Sequence, residues 1–172
     1  MRRGYVQVYT GTGKGKTTAA LGLALRAVGA RQRVFIAQFI KKRFCSEHRA
    51  LKRFKDSITI KQYGKGLILN RQATASDIAA AQKGIEDTRN VMLSRDYDVI
   101  ILDEANVAVK RGLISVDNLL ELIKSKPTRL ELVITGRYAD EKIIEAADLV
   151  TEMNEIKHYS KKGVRARVGI EK

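Results

Sequence analysis

The stretch YTGTGKGKTTAALGLALRAVG (9–29) carries the residues best suited to hold a polyphosphate. Glycines at 11, 13 and 15 let the backbone turn tightly, so that successive N–H groups can face phosphate oxygens. A helix starting at Lys16 adds the positive end of its dipole to that attraction. Lys16 supplies an ammonium for the outer phosphates, and Thr17 offers its hydroxyl to a magnesium (or manganese) ion. Thr10, Gly11, Thr12, Gly13, Lys14, Gly15, Lys16, Thr17 and Thr18 are therefore the candidate phosphate-binding residues. The strict pattern has glycine at position 10, where this chain has threonine. Lys14 is extra to the pattern and reads equally well as a phosphate contact or as a solvent-facing lysine.

A second segment, YDVIILDEA (97–105), completes a nucleotide site. Four apolar residues, Val99 to Leu102, carry Asp103 and Glu104 to the C-terminal end of a buried strand, where open α/β sheets bind ligands. A carboxylate there can hold magnesium directly or through water, which makes Thr17, Asp103 and Glu104 the candidate metal residues. In a hydrolase, Glu104 would instead polarise a water. TGRY (135–138) brings Arg137 to the same edge, to bind a phosphate or sense its departure. The competing reading is a turn arginine paired with a surface carboxylate. Lys16, Glu104 and Arg137 are the catalytic candidates. The grip alone leaves the reaction open, because attack on phosphorus and attack elsewhere on a nucleotide need the same hold.

Apolar, β-prone runs at 4–10, 33–40, 97–105 and 129–136 read as buried parallel strands that position these residues. Shorter strand candidates lie at 56–64, 147–154 and 165–171. Helices are expected from Lys16 to Val28, stopped by Gly29, and from Thr74 to Ser94, with Ile78, Ala81, Ile85 and Met92 on one face. A third runs from Ser115, its cap, to Lys124 before Pro127, and a fourth covers 140–147. Strands alternating with helices predict an α/β domain with a mostly parallel central sheet.

A chain of 172 residues without linkers or repeats reads as one domain, residues 1–172. Its 44% apolar content suits a globular protein, and no apolar run approaches the roughly 20 residues needed to cross a bilayer. Residues at the start lack a signal-peptide core. The lone Cys45 fits a reducing cytoplasm, and with only His48 and His158 it is a poor basis for a zinc site. The net charge of +14 is uneven: residues 1–71 hold 17 basic and 2 acidic side chains, while residues 72–156 hold 10 and 16. A basic first third suits polyanions, whether nucleotide, nucleic acid or an acidic protein.

Taken together, several segments resemble the P-loop cob(I)alamin (corrinoid) adenosyltransferases. VYTGTGKGKTTAALGLALRAVG is similar to that family's phosphate loop, including Thr10, and AQFIKK (37–42) to its second-strand motif. DVIILDEANVAV (98–109), LVITGRYAD (132–140) and ADLVTEMNEIKHYSKKGVRARVGIE (147–171) follow in the family's order and spacing. The resemblance implies a three-layer, RecA-like P-loop NTPase fold, with ATP and a reduced corrinoid as substrates. Cobalt(I) would attack the 5′ carbon of ATP, releasing triphosphate whole. Lys16, the loop N–H groups and magnesium would neutralise the leaving group, with Glu104 beside Thr17 and Asp103 at the metal. A homodimer and an acidic flavoprotein reductant docking on the basic face are the partners expected. Relatives carry a Phe and a Trp in the segment matching YGKGLILNRQ (63–72), where this chain has Leu67 and Leu69 and no tryptophan at all.

Two other functions share the loop. A nucleic-acid-stimulated ATPase would use the basic first third, but aromatic residues for base stacking make up only 6% of the chain and no nucleic-acid motif is present. A carrier that binds nucleotide or corrinoid without chemistry would keep ATP intact beside the reduced corrinoid.

Overall fold

β-Branched, leucine and aromatic residues make up most of every strand, and their alternation decides which layer each side chain enters. The structure, a computed structural model, describes residues 3–42, 44–66 and 72–171. Its strands are β1 (Val6–Thr10), β2 (Val34–Gln38), β3 (Ile58–Gln62), β4 (Val99–Asp103), β5 (Glu131–Thr135) and β6 (Leu149–Glu152). They form one sheet in the order β3-β2-β4-β5-β1-β6, and every pairing is parallel. β2 and β4 are buried along their whole length, as central strands covered on both faces must be.

The helices are α1 (Lys16–Gly29), α2 (Ser46–Leu51), α3 (Ala75–Ser94), α4 (Ala105–Lys110), α5 (Val116–Ser125) and α6 (Glu141–Ala146). Val34, Ile36, Val99, Ile101 and Val133 point to one side, where they meet Ala20, Ala24 and Ala27 of α1 and Leu51 of α2. Phe35, Ile100, Leu102, Leu132 and Ile134 point to the other, against α3, α4, α5 and α6. The alanines of α1 let that helix approach the sheet closely, while Leu119 and Leu122 of α5 fill the opposite layer. Truncating either leucine to alanine costs about 2–5 kcal/mol, the usual range for a buried leucine. The three-layer α/β architecture expected from the sequence is thus present.

Thr74 and Ser115 cap α3 and α5 as their sequence positions suggest, each accepting the N–H three residues on. Three details differ from expectation. Ile78 does not join Ala81, Ile85 and Met92 in the core but stays 38% exposed on α3. The six-residue helices α2 and α4 were too short to show a periodic pattern. Residues 165–171 are not a strand: Gly169 takes a φ of +78°, and the Arg167 backbone N–H donates to the Glu171 carboxylate at 2.8 Å, curling the chain. The apolar residues that made this segment look β-like, Val168 and Ile170, are both exposed. Leu67 and Leu69 lie outside the described residues.

Candidate active site

The phosphate loop leaves β1 at Thr10 and enters α1 at Lys16, and the chain just beyond β6 braces it. Met153 donates its N–H to Thr10 O at 2.9 Å, and Gly13 donates to Met153 O at 2.6 Å. A Cβ on Gly11 would come within 2.5 Å of that carbonyl oxygen, and one on Gly13 within 2.8 Å, so no larger residue fits either place unshifted. Gly15, with φ +121°, turns the chain into α1, and no side chain caps that helix end. Its positive end is therefore left to an anion. Lys16 is 93% buried (7% exposed), and its ammonium donates to Gly11 O and Gly13 O, each at 2.7 Å. Burial lowers the Lys16 pKa, and the nearby charge of Arg137 lowers it further, against the pull of Glu104.

Asp103 sits at the end of β4, 1% exposed, with both carboxylate oxygens doubly engaged. Oδ1 accepts from Thr17 Oγ1 at 2.8 Å and from Thr135 Oγ1 at 2.9 Å. Oδ2 accepts from Gln38 Nε2 and from Lys41 Nζ, both at 3.1 Å. Gln38 is the sheet-register partner of Asp103 on β2, and Thr135 ends β5 beside it. His48 holds Gln38 in place. Its Nδ1 accepts the Cys45 N–H at 2.9 Å, so Nε2 carries the proton that goes to Gln38 Oε1 at 2.7 Å. Burial works to lower the Lys41 pKa, but the Asp103 carboxylate outweighs it and the ammonium is held above its ordinary value.

Glu104 follows in the left-handed region, with φ 62°, and its N–H donates to Thr135 Oγ1 at 3.0 Å. That turn starts α4 and points the chain away from the sheet end. Burial raises the Glu104 pKa, and Asp103 adds to the rise, while Lys41, Lys16 and Arg137 oppose it. The Thr17 hydroxyl with the Asp103 and Glu104 carboxylates makes a set of hard oxygen donors, the chemistry a magnesium ion takes. The Lys41 ammonium, 3.1 Å from Asp103 Oδ2 and 3.5 Å from Thr17 Oγ1, already occupies the place between them as a cation.

Of the residues expected from the sequence, Lys16, Thr17, Asp103 and Glu104 converge at this sheet edge. Arg137 is exposed, yet its charge is felt at both Lys16 and Glu104. Thr12, Lys14 and Thr18 are exposed, and Lys14 Nζ donates to Ile170 O at 3.0 Å. Thr10 is buried, its hydroxyl accepting the Ala139 N–H at 3.3 Å. Sequence reasoning assigned no role to Gln38, Lys41, His48 or Thr135. A polar residue closing the apolar run VFIAQ was the signal for Gln38, since it mirrors the aspartate closing VIILD. Cys45, Glu47 and His48 offer potential ligand atoms within 4.8 Å of one another, but both ring nitrogens of His48 are already engaged.

Comparison with known proteins bears on the family and on the fold. The family model described as ATP:corrinoid adenosyltransferase BtuR/CobO/CobP matches residues 2–171. A corrinoid adenosyltransferase of Pseudomonas aeruginosa is 36% identical over 98% of this chain and 84% of its own. One from a Sinorhizobium species is also 36% identical, over 98% and 80% respectively, and one from Escherichia coli K12 is 32% identical over 98% and 86%. Among solved structures, a KaiC-like protein of Pyrococcus horikoshii superposes with a TM-score of 0.60 at 16% identity, covering 91% of this chain and 75% of that one. That likeness bears on the fold, which is of the RecA-like P-loop type.

Proposed function

The chain belongs to the ATP:corrinoid adenosyltransferases, and from that membership we propose how its own residues carry out the transfer. The reaction joins the 5′-deoxyadenosyl group of ATP to the cobalt of a reduced corrinoid. Cobalt(I) brings the electron pair that forms the cobalt–carbon bond, and the C5′–O bond breaks with its pair going to triphosphate. Cobalt(I) is a strong nucleophile, so no side chain has to remove a proton from it. The protein's task falls on the leaving group and on alignment.

Lys16 leaves the Gly11 and Gly13 carbonyls to meet the polyphosphate, joining the loop N–H groups and the open end of α1. Thr17 and Asp103, with Glu104 beside them, would hold a magnesium or manganese ion, which when bound neutralises charge on the triphosphate oxygens. Glu104 serves that cluster and does not act as a base toward water. Arg137 reaches the polyphosphate from the sheet edge, where its charge already acts on Lys16. Thr10 positions the loop, through its bond to Ala139.

The observation that carries adenosyl transfer rather than hydrolysis is the likeness to corrinoid adenosyltransferases over 98% of the chain. Among the described residues no helix is long and apolar enough to cross a membrane, and a cytoplasmic site of action suits a sequence with a single cysteine. The basic first 71 residues support an acidic flavoprotein as the reductant, with a cobalt reduction rate that falls as salt rises. A homodimer would cover the exposed Leu149 and Val150 of the edge strand β6.

Phosphorus NMR tests the reaction. The protein, magnesium and ATP are incubated without oxygen, with and without chemically reduced cobalamin. Intact triphosphate, formed only with the corrinoid and matched by a light-sensitive cobalt–carbon product, is the expected result. ADP and phosphate, formed without corrinoid, would mean ordinary phosphoryl transfer instead.

A further inference from the structure

The Asp103 carboxylate has four partners and no spare acceptor site. A divalent ion that binds Asp103 must therefore displace one of them. Thr135 and Gln38 are fully buried at the ends of β5 and β2, and Gln38 is further pinned because its Oε1 accepts from both His48 and Gln62. Thr17 is a partner the ion keeps. Lys41 alone of the four lies outside the helices and strands, with a side chain 25% exposed against 1% for Asp103. It is also the only one that carries charge.

We propose that the Lys41 ammonium is the resident counter-cation of the divalent site, displaced when a divalent ion enters with the polyphosphate. The inference rests on the metal role proposed above for Thr17 and Asp103. Its physical content is an exchange of cations. A buried carboxylate with no positive partner is costly, so Lys41 keeps Asp103 ionised and aligned before the substrate arrives. A bare divalent ion has to remove that ammonium into solvent. An ion arriving on ATP brings phosphate oxygens that receive the displaced ammonium, so entry with nucleotide is favoured over entry alone.

The test follows free Mn2+ binding by electron paramagnetic resonance in the full chain without nucleotide. Lys41→Met is expected to bind one Mn2+ at least about tenfold more tightly than the unaltered protein, since a like charge has been removed at close range. Lys41→Arg, which keeps the charge, should bind as weakly as the unaltered protein. The gain should vanish in the double variant K41M/D103N. Equal or weaker binding by Lys41→Met overturns the proposal, and so does a gain that survives D103N. A second measurement needs no variant: the nitrogen-15 signal of the Lys41 ammonium should shift when Mg2+ and ATP are added together, and its constancy would sink the idea. Mn2+ binding with ATP present separates the two readings. If Asp103→Asn leaves it unchanged, the metal site itself is wrong. If it falls with Asp103→Asn while Lys41→Met gains nothing in free Mn2+ binding without nucleotide, only the counter-cation is wrong.

Discussion

Thr17 Oγ1 donates to Asp103 Oδ1 at 2.8 Å, joining the first turn of α1 to the end of β4 although β5 runs between β1 and β4. The bond spans two segments 86 residues apart, and it sets the hydroxyl and carboxylate where one small cation can touch both. Asp103→Asn keeps the shape of that junction and removes its charge. The adenosylation rate should fall by about 10²–10³-fold, the usual loss when a preorganised electrostatic partner is removed. Thr17→Ser should keep most of the activity and Thr17→Ala should not. Single-turnover rates with pre-reduced corrinoid make the comparison, and a loss of only a few-fold for Asp103→Asn would remove the metal from the mechanism.

Lys16 is held by two loop carbonyls, so its ammonium is already within the loop proposed to hold phosphate. Lys16→Met retains the stem and deletes the charge. ATP affinity should weaken and the transfer rate should drop by about 10²-fold or more. Measuring ATP binding and rate separately shows which state the lysine serves. A change in affinity with an unchanged maximal rate would mean that it holds ATP without favouring departure of triphosphate.

His48 touches no substrate candidate, yet it fixes the amide that faces Asp103. His48→Leu would leave Gln38 Oε1 with only the longer bond from Gln62, at 3.3 Å. A buried amide that loses its partner costs about 1–3 kcal/mol, which denaturant titration can read. His48→Gln should recover part of the loss. If stability is unaffected by His48→Leu while activity falls, the histidine has a chemical part that the Gln38 contact does not describe.

Much of the candidate site was legible because each of its parts is a local sequence pattern. Gly15-Lys16-Thr17 opens a helix directly after a strand, and Asp103 closes an unbroken apolar run, so period and position alone bring them to the same sheet edge. Gln38, Lys41 and His48 were hidden for the opposite reason. Their roles depend on β2 lying beside β4 in register, which places Gln38 opposite Asp103, and on a six-residue helix that turns His48 back toward it. Neither fact is written in the periodicity of residues 33–51. The tail misled the reading because alternation in RARVGIE is a strand signal only when a neighbouring edge is available to pair. Gly169 and the Arg167–Glu171 bond close the chain into a turn before that can happen.

That turn makes the tail sensitive to acid. Glu171 accepts from the Arg167 side chain and from Tyr159, and from the Arg167 backbone N–H at 2.8 Å. The Arg167 guanidinium and the Tyr159 hydroxyl pull its pKa down from 4.5 to about 2. A carboxylate depressed on folding adds its stabilisation at every pH above the ordinary value of 4.5 and loses it as pH falls toward about 2. Backbone amides of residues 159–171 should therefore keep constant protection from neutral pH down to 4.5 and lose it below. Glu171→Gln should show the loosened tail already at neutral pH, with exchange faster by roughly two- to fivefold, as expected for an exposed ion pair. Because Ile170 O accepts from Lys14, the same variant should free that lysine in the phosphate loop. Hydrogen exchange across pH checks the prediction, and protection that is equal in both proteins at neutral pH would mean that Gly163 and Gly169, rather than Glu171, shape the tail.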